Sequence, residues 1–346
     1  MEFGFELAVC GWAERHWPPS GNTDRAALVA RQLGTKHRRW DTIVVECDPT
    51  GLAERAQFGD RHLDSDLLGV VRHAPAEWAW YRDALPEPEY PWRYVREAVT
   101  RAADRGLVDR RTRGGRVELR RRYPYPDWVE RVVAVENKPD LSASAARDLA
   151  RQLRQDVALG LADEVWVATR ADQATAALLS DGPVEAGILA VDPDQRGADA
   201  VDVVWRPRQL PADEPGTRIL ERPPTGSHGA SAWRFEYASP AWKESKRRQI
   251  AERAYERGWR AYVDSMRPDC RYFELQPEPA VSQPFCTAKN RGQSPRECAG
   301  SCPQFEPEPP TWRQGDWPLD GGPGGALTRL LDRQRARYRP EPPEES

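Results

Sequence analysis

Glu136-Asn137-Lys138 ends an apolar run, VVAV, and Pro126-Asp127 lies a short way upstream. The chain holds 46 arginines and only 5 lysines, so a position that needs positive charge alone reads Arg almost everywhere. On a strand, residues i and i+2 point to one face, which sets Glu136 and Lys138 side by side. A chain reversal between Pro126-Asp127 and Glu136 can bring two carboxylates together. Mg²⁺ is commonly held by one or two carboxylates together with substrate phosphates. A lysine beside them can orient or polarise the attacking water and offset phosphate charge. An ammonium is a compact charge whose pKa moves readily on burial, unlike that of a guanidinium, so Arg is no substitute there.

The flanking segments supply elements to position these groups. Residues 2–15 read as a short helix, and Asp24 to Leu33 as a second one stopped at Gly34, a usual C-cap residue. WDTIVVE (40–46) is β-branched and reads as a strand, as do WVERVVAVE, EVWVAT, GILAVD and AVDVVW. A helix, AARDLARQLRQDVALGL, capped by Ser142 or Ser144, separates the second of these strands from the third. Strands that alternate with a helix of this length imply a mixed or parallel sheet.

Proline-aspartate at 126–127, ENK at 136–138 closing an apolar strand, then a helix and EVWVAT, resemble the PD-(D/E)XK nuclease superfamily. The likeness covers roughly 1–60 and 123–206 and implies a restriction-endonuclease-like α/β core that hydrolyses phosphodiester bonds in DNA with Mg²⁺ or Mn²⁺. By motif, Asp127 and Glu136 would be metal ligands and Lys138 the catalytic lysine. Asp41, on WDTIVVE, is the alternative motif aspartate, and the resemblance leaves the two open. Glu6 would be the acidic residue of the first helix. Gln152, with Asp156, is similar to the glutamine motif of RecB-type members, although these continue to a tyrosine where Asp156 stands. The whole chain also resembles a group of haloarchaeal proteins, a likeness that carries no activity with it.

Residues 64–122 read differently. LLGVVRHAPAEWAWYRDAL and PWRYVREAVTRAADRGLV carry helical stripes, and RRTRGGRVELRRR has Gly114-Gly115 between two alternating runs, a hairpin signal. That order is the order of a winged helix-turn-helix inserted into the α/β core. Seven arginines fall between Arg110 and Arg122. Arg110, Arg111, Arg113 and Arg116 on the hairpin suit phosphate or minor-groove contacts. Trp92–Arg105 would be the recognition helix, with Arg93, Arg96 and Arg101 reaching DNA.

After residue 206 the pattern shifts again. Ser239-Pro240 opens a long helix expected to reach about Met266. Cys270, Cys286, Cys298 and Cys302 follow, clustered closely enough to argue for a metal before disulfides. Cys298 and Cys302 fit zinc-ligand spacing. Four thiolates equally hold a [4Fe–4S] cluster, for which Cys302-Pro303 is a familiar ending. Cys10 and Cys47, each alone in an apolar segment, read as buried thiols, although similarity to RecB-type proteins with a four-cysteine clasp would make Cys10 an N-terminal ligand and leave one C-terminal cysteine spare. None of the five histidines has metal spacing.

The net charge of −3 gives no global pull toward nucleic acid, so any DNA contact rests on local arginine density. No run of 18 apolar residues exists, and the acidic N-terminus does not read as a signal peptide, which points to the cytoplasm. The expected organisation is a nuclease-like core in two parts (1–63 and 123–206) around the insertion at 64–122. A linker and long helix (207–269), a four-cysteine segment (270–310) and a Pro/Glu-rich tail (311–346) complete it. Three functions are compatible with it: a DNA-cleaving enzyme, a DNA-binding regulator that keeps the fold without cleavage, or a structural assembly protein that does not bind DNA.

Overall fold

The computed structural model describes residues 2–21, 25–140, 143–174, 182–192, 195, 197–221, 233–259, 270–276, 283–293 and 302–306. Its centre is a mixed six-stranded sheet. The strands, in spatial order, are β1 (Ala26–Gly34), β2 (Arg39–Cys47), β6 (Val129–Asn137), β7 (Glu164–Arg170), β8 (Gly187–Val191) and β9 (Val201–Trp205). The first three run antiparallel, β6 to β8 run parallel, and β9 returns antiparallel. The parallel step from β6 to β7 needs a crossover, and α6 (Ala143–Leu159) supplies it.

Both faces of the sheet are covered, which explains why its strands are so continuously apolar. On one face α6 and α7 (Pro240–Arg257) bury Leu149, Leu153, Ile250 and Tyr255 against Leu28, Ile43, Val132 and Ala134. On the other, α1 (Glu2–His16) buries Leu7, Val9 and Trp12 against Val29, Val44 and Val133. The helix expected over Asp24–Leu33 is therefore corrected: AALVARQLG is strand β1, and of its nine residues only Gln32 is not fully buried. Burial on two faces erases the alternation that marks a strand, and a short apolar run then reads equally as a helix. Gly34 ends a strand rather than a helix. A Cβ there would lie 2.1 Å from the Arg38 carbonyl oxygen, so the close turn into β2 requires glycine.

Between β2 and β6 the chain leaves the sheet and returns, with Asp48 N–H donating to the Trp128 carbonyl at 3.1 Å where the two paths meet. After α2 (Pro49–Arg55), the excursion builds α3 (Ser65–His73), β3 (Ala79–Trp80), α4 (Tyr81–Ala84), α5 (Trp92–Asp104), β4 (Val108–Arg113) and β5 (Arg116–Arg121). The last two form a hairpin on Gly114 and Gly115, whose φ values of 56° and 76° are those of a type I′ turn. This body has its own core, in which Leu67, Val71, Val95, Val99 and Leu119 pack together.

Downstream, β10 (Gly216–Glu221) and β11 (Arg234–Ala238) pair as a hairpin that precedes α7. Ser239 caps α7 by accepting the Trp242 N–H at 3.2 Å, and Gly258, at φ 61°, stops it short of the expected Met266. Three short strands, β12 (Phe273–Gln276), β13 (Gln283–Cys286) and β14 (Arg291–Gly292), form the cysteine segment. Ser142 and Cys298 lie outside the described residues, as does the tail at 311–346. Among those described, no helix is long and apolar enough to cross a membrane.

Candidate functional site

The start of β2 and the end of β6 meet beside α6. Thr42 pairs with Val135 in the ladder, so the next step sets Asp41 opposite Glu136. One Asp41 oxygen accepts the Asn137 main-chain N–H at 2.9 Å, and the other accepts Gln32 Nε2 at 3.2 Å. The same amide of Gln32 reaches both oxygens of the buried Glu6, at 3.2 and 3.3 Å. Gln32 adopts φ 52°, the left-handed region that a non-glycine residue enters at a cost on the order of 1–3 kcal/mol. That conformation accompanies the bridge between the first helix and the second strand.

Arg38, which no motif singles out, is the centre of the cluster. The turn from β1 to β2 delivers it: Thr35 Oγ1 accepts the main-chain N–H groups of His37 and Arg38 at 3.3 and 3.1 Å. Arg38 Nε and Nη2 grip the two Asp156 oxygens at 2.6 and 2.7 Å, and Nη2 also reaches Glu136 Oε1 at 2.5 Å. Its guanidinium lies over Trp40, 5.6 Å from the ring centroid. Burial alone would lower the Arg38 pKa, but the Asp156 bond and charge outweigh it and hold the group above its ordinary value. Glu136 goes the other way. Burial pushes its pKa up to about 8 against the pull of Arg38, and the negative charges of Asp41 and Asp156 add to the rise. Burial likewise raises Asp156, opposed by Arg38. No sequence signal marks Arg38, because one arginine among 46 carries no information by its type.

Lys138 follows directly on β6, two residues beyond Glu136, with its main-chain N–H on the Ala168 carbonyl at 2.9 Å. Gln152 sits half-buried on α6, one turn before Asp156. Asp127 does not join them. It precedes β6 at the opposite end, nine residues from Glu136, which is about 30 Å along a strand. Its side chain is 81% exposed and pairs with Arg248 of α7 at 3.0 Å. The expected chain reversal is absent because 129–137 is one uninterrupted strand. Of the two candidate aspartates, Asp41 is the one that faces Glu136.

The donor chemistry of Asp41 and Glu136 suits a hard divalent cation that takes two carboxylates and completes its shell with phosphate and water. Arg38 competes for one Glu136 oxygen, so a cation here must displace or neighbour a guanidinium. Among the described residues no group of three or more metal-ligating side chains is arranged to hold an ion.

On the inserted body, Arg93 and Arg96 of α5 and Arg110, Arg113 and Arg116 of the hairpin are exposed and have no ion pair among the described residues. Arg116 lies over Trp80 at 4.8 Å and Arg93 over Tyr94 at 4.6 Å. Two others are engaged: Arg101 binds Asp64 and Asp66 at 3.0 and 3.1 Å, and Arg111 binds Glu118 at 2.6 Å. Those two serve the insertion's own structure first.

Cys270, Cys286 and Cys302 line one small cavity of about 20 Å³. Each begins a turn in which its carbonyl accepts the N–H three residues on, from Phe273, Lys289 and Phe305 at 3.0, 3.2 and 3.0 Å. Cys10 is not in that lining. It is fully buried and its Sγ meets Thr42 Oγ1 at 3.2 Å, so the expected N-terminal ligand is instead a core thiol raised by burial.

Residues 28–307 match the family described as "Family of unknown function (DUF5787)", and the chain belongs to that family. Comparison with curated proteins returns no match, and neither does comparison with solved structures.

Proposed function

We propose that this chain is a nuclease-like, DNA-binding protein that hydrolyses phosphodiester bonds with Mg²⁺ or Mn²⁺. The observation that carries the reading is the meeting of Asp41 on β2 with Glu136 on β6, Lys138 two residues on. The mixed α/β core supports it, with Glu6 on the first helix and the order β6-α6-β7 after Asp41 on β2, since these are what the PD-(D/E)XK likeness implies. Asp41 and Glu136 would hold the cation, which when bound lends charge to the phosphate and acidifies a water. Glu6 and Gln32 fix the Asp41 carboxylate. Lys138 would orient the attacking water, and Gln152 would meet the substrate along α6.

The insertion's order of helix, short strand, two helices and hairpin supports a winged helix-turn-helix. Its arginines without an acidic partner among the described residues, Arg93, Arg96, Arg110, Arg113 and Arg116, would contact phosphates. Cys270, Cys286, Cys298 and Cys302 would hold either Zn²⁺ or a [4Fe–4S] cluster through four thiolates.

Nicking or digestion of duplex and single-stranded DNA with Mn²⁺ tests the activity. Wild type should cleave, while Asp41→Asn, Glu136→Ala and Lys138→Ala should each lose at least a hundredfold and still bind DNA. One observation favours a second reading, the non-catalytic regulator: Arg38 holds Glu136 where a cation would sit. Salt-dependent DNA binding by wild type without cleavage under any divalent cation would select that reading.

A further inference from the structure

A cavity of about 350 Å³ opens between the β1–β2 turn, α7 and the first residues of the insertion. None of Arg38, Asp41, Glu136 and Asp156 lines it, and it is in the size range of small-molecule sites. Its lining is partly apolar, with Leu161, Ile250 and the Trp242 indole. It is also cationic, with Lys36 from the turn and Lys246 and Arg253 from α7. Two of the chain's five lysines are thus in this one cavity. Trp242, Lys246 and Arg253 recur at helical spacing, so α7 presents them along one face.

The positive charge is not cancelled by the acids that surround it among the described residues. Asp64 also lines the cavity, but its carboxylate caps α3 by accepting the Asp66 and Leu67 N–H groups at 3.1 and 3.0 Å and pairs with Arg101. His62 pairs with Glu256. Lys246 donates to the neutral Gln249 Oε1, at 3.0 Å. Burial lowers the Lys246 pKa, and the nearby charges of Arg253 and Arg218 lower it further. Arg253 is lowered by burial and by Arg257. Crowded, partly desolvated cations of this kind are relieved by an anion. The indole stands beside them, with Lys246 Nζ 6.0 Å from the Trp242 ring centroid.

We propose that this cavity binds a nucleotide, its phosphate on Lys36, Lys246 and Arg253 and its base against Trp242. The ligand is either a free mononucleotide or the phosphorylated end of a DNA strand, since both present the same chemistry. This inference does not depend on cleavage at Glu136.

Calorimetric titration of the full chain decides it, using dAMP, a 5′-phosphorylated DNA strand, deoxyadenosine and inorganic phosphate as probes. Binding of dAMP or of the phosphorylated strand, with deoxyadenosine and inorganic phosphate at least tenfold weaker, is the expected result. Whichever of the two binds identifies the source. Lys246→Gln and Trp242→Leu should each weaken that binding at least tenfold. Lys36→Gln, at an exposed site where folding is not at stake, should weaken it several-fold. The Glu136→Ala variant should bind as wild type does, which separates this site from the carboxylate cluster. No binding of either nucleotide form, inorganic phosphate binding as tightly as dAMP, or unchanged affinity in Lys36→Gln would overturn the proposal.

Discussion

At Glu136 one guanidinium serves too many carboxylates. Arg38 makes two bonds to Asp156 and one to Glu136, and Asp41 adds a third negative charge nearby. Burial, with the charges of Asp41 and Asp156 added, raises the Glu136 pKa to about 8 against the pull of Arg38. An unfolded glutamate titrates near 4.5, so between that value and about 8 the folded state binds the extra proton. Stability from this group is therefore present below about pH 4.5 and is lost as pH rises toward 8. Urea unfolding across this range should show the decline, and Glu136→Gln, which cannot ionise, should flatten it. An equal decline in Glu136→Gln would exclude Glu136 as its source. Arg38→Met should cost about 3–5 kcal/mol, because it leaves buried acids without their cation. Glu136 and Lys138 are legible in the sequence through the rarity of lysine. Arg38 and Gln32 are not: the first is lost among many arginines, and the second acts through a backbone conformation that no residue pattern announces.

The elements divide by how many faces they bury. Strand β2, helix α6 and the Gly114-Gly115 hairpin are readable because β-branched content, helical spacing and turn chemistry each survive in their sequences. Strand β1 is not, since α1 and α7 cover both its sides and leave a run with no period. The turn that follows it has two tasks, carrying Lys36 into the nucleotide-sized cavity and Arg38 into the carboxylate cluster. The hairpin of β4 and β5 has one, because its tip projects beyond the insertion's core and its arginines are unequal. Arg111 and Arg120 both lie against Trp78, 4.3 and 4.9 Å from its ring centroid, and tie the two hairpin strands to it. Arg110, Arg113 and Arg116 are left for a partner. A triple change of these three to Gln should weaken DNA binding across all sequences and reduce the salt slope by about one for every phosphate that the variant no longer neutralises. Electrophoretic or anisotropy titrations at several salt concentrations measure both, with the melting temperature expected to hold. An unchanged salt slope would remove the hairpin from the DNA surface.

Whether sheet and insertion act as one molecule depends on a buried knot where the chain leaves and re-enters the core. Arg55 of α2 grips Glu252 of α7 through Nε and Nη2 at 2.6 and 2.5 Å, with both side chains fully buried. Glu252 also accepts the Leu63 N–H and the Tyr125 hydroxyl, each at 2.8 Å, so it holds the outgoing and the returning path at once. The Arg55 guanidinium lies 4.2 Å from the Tyr255 ring centroid. A buried ion pair adds little net stability over an apolar pair, but losing one partner strands the other charge. Glu252→Gln should therefore cost about 3–5 kcal/mol, and Tyr125→Phe, which loses its bond to Glu252 and the one its oxygen accepts from Trp128 Nε1 at 2.9 Å, at least about 1.5–3 kcal/mol. The knot ties two cores, so its loss should also alter cooperativity. Calorimetry of wild type should give one transition, and Glu252→Gln should split it, with the insertion melting apart from the sheet. A single sharp transition lowered in temperature would mean that the two cores are joined mainly by other contacts. In that case the insertion would hold its place against α7 without this clamp.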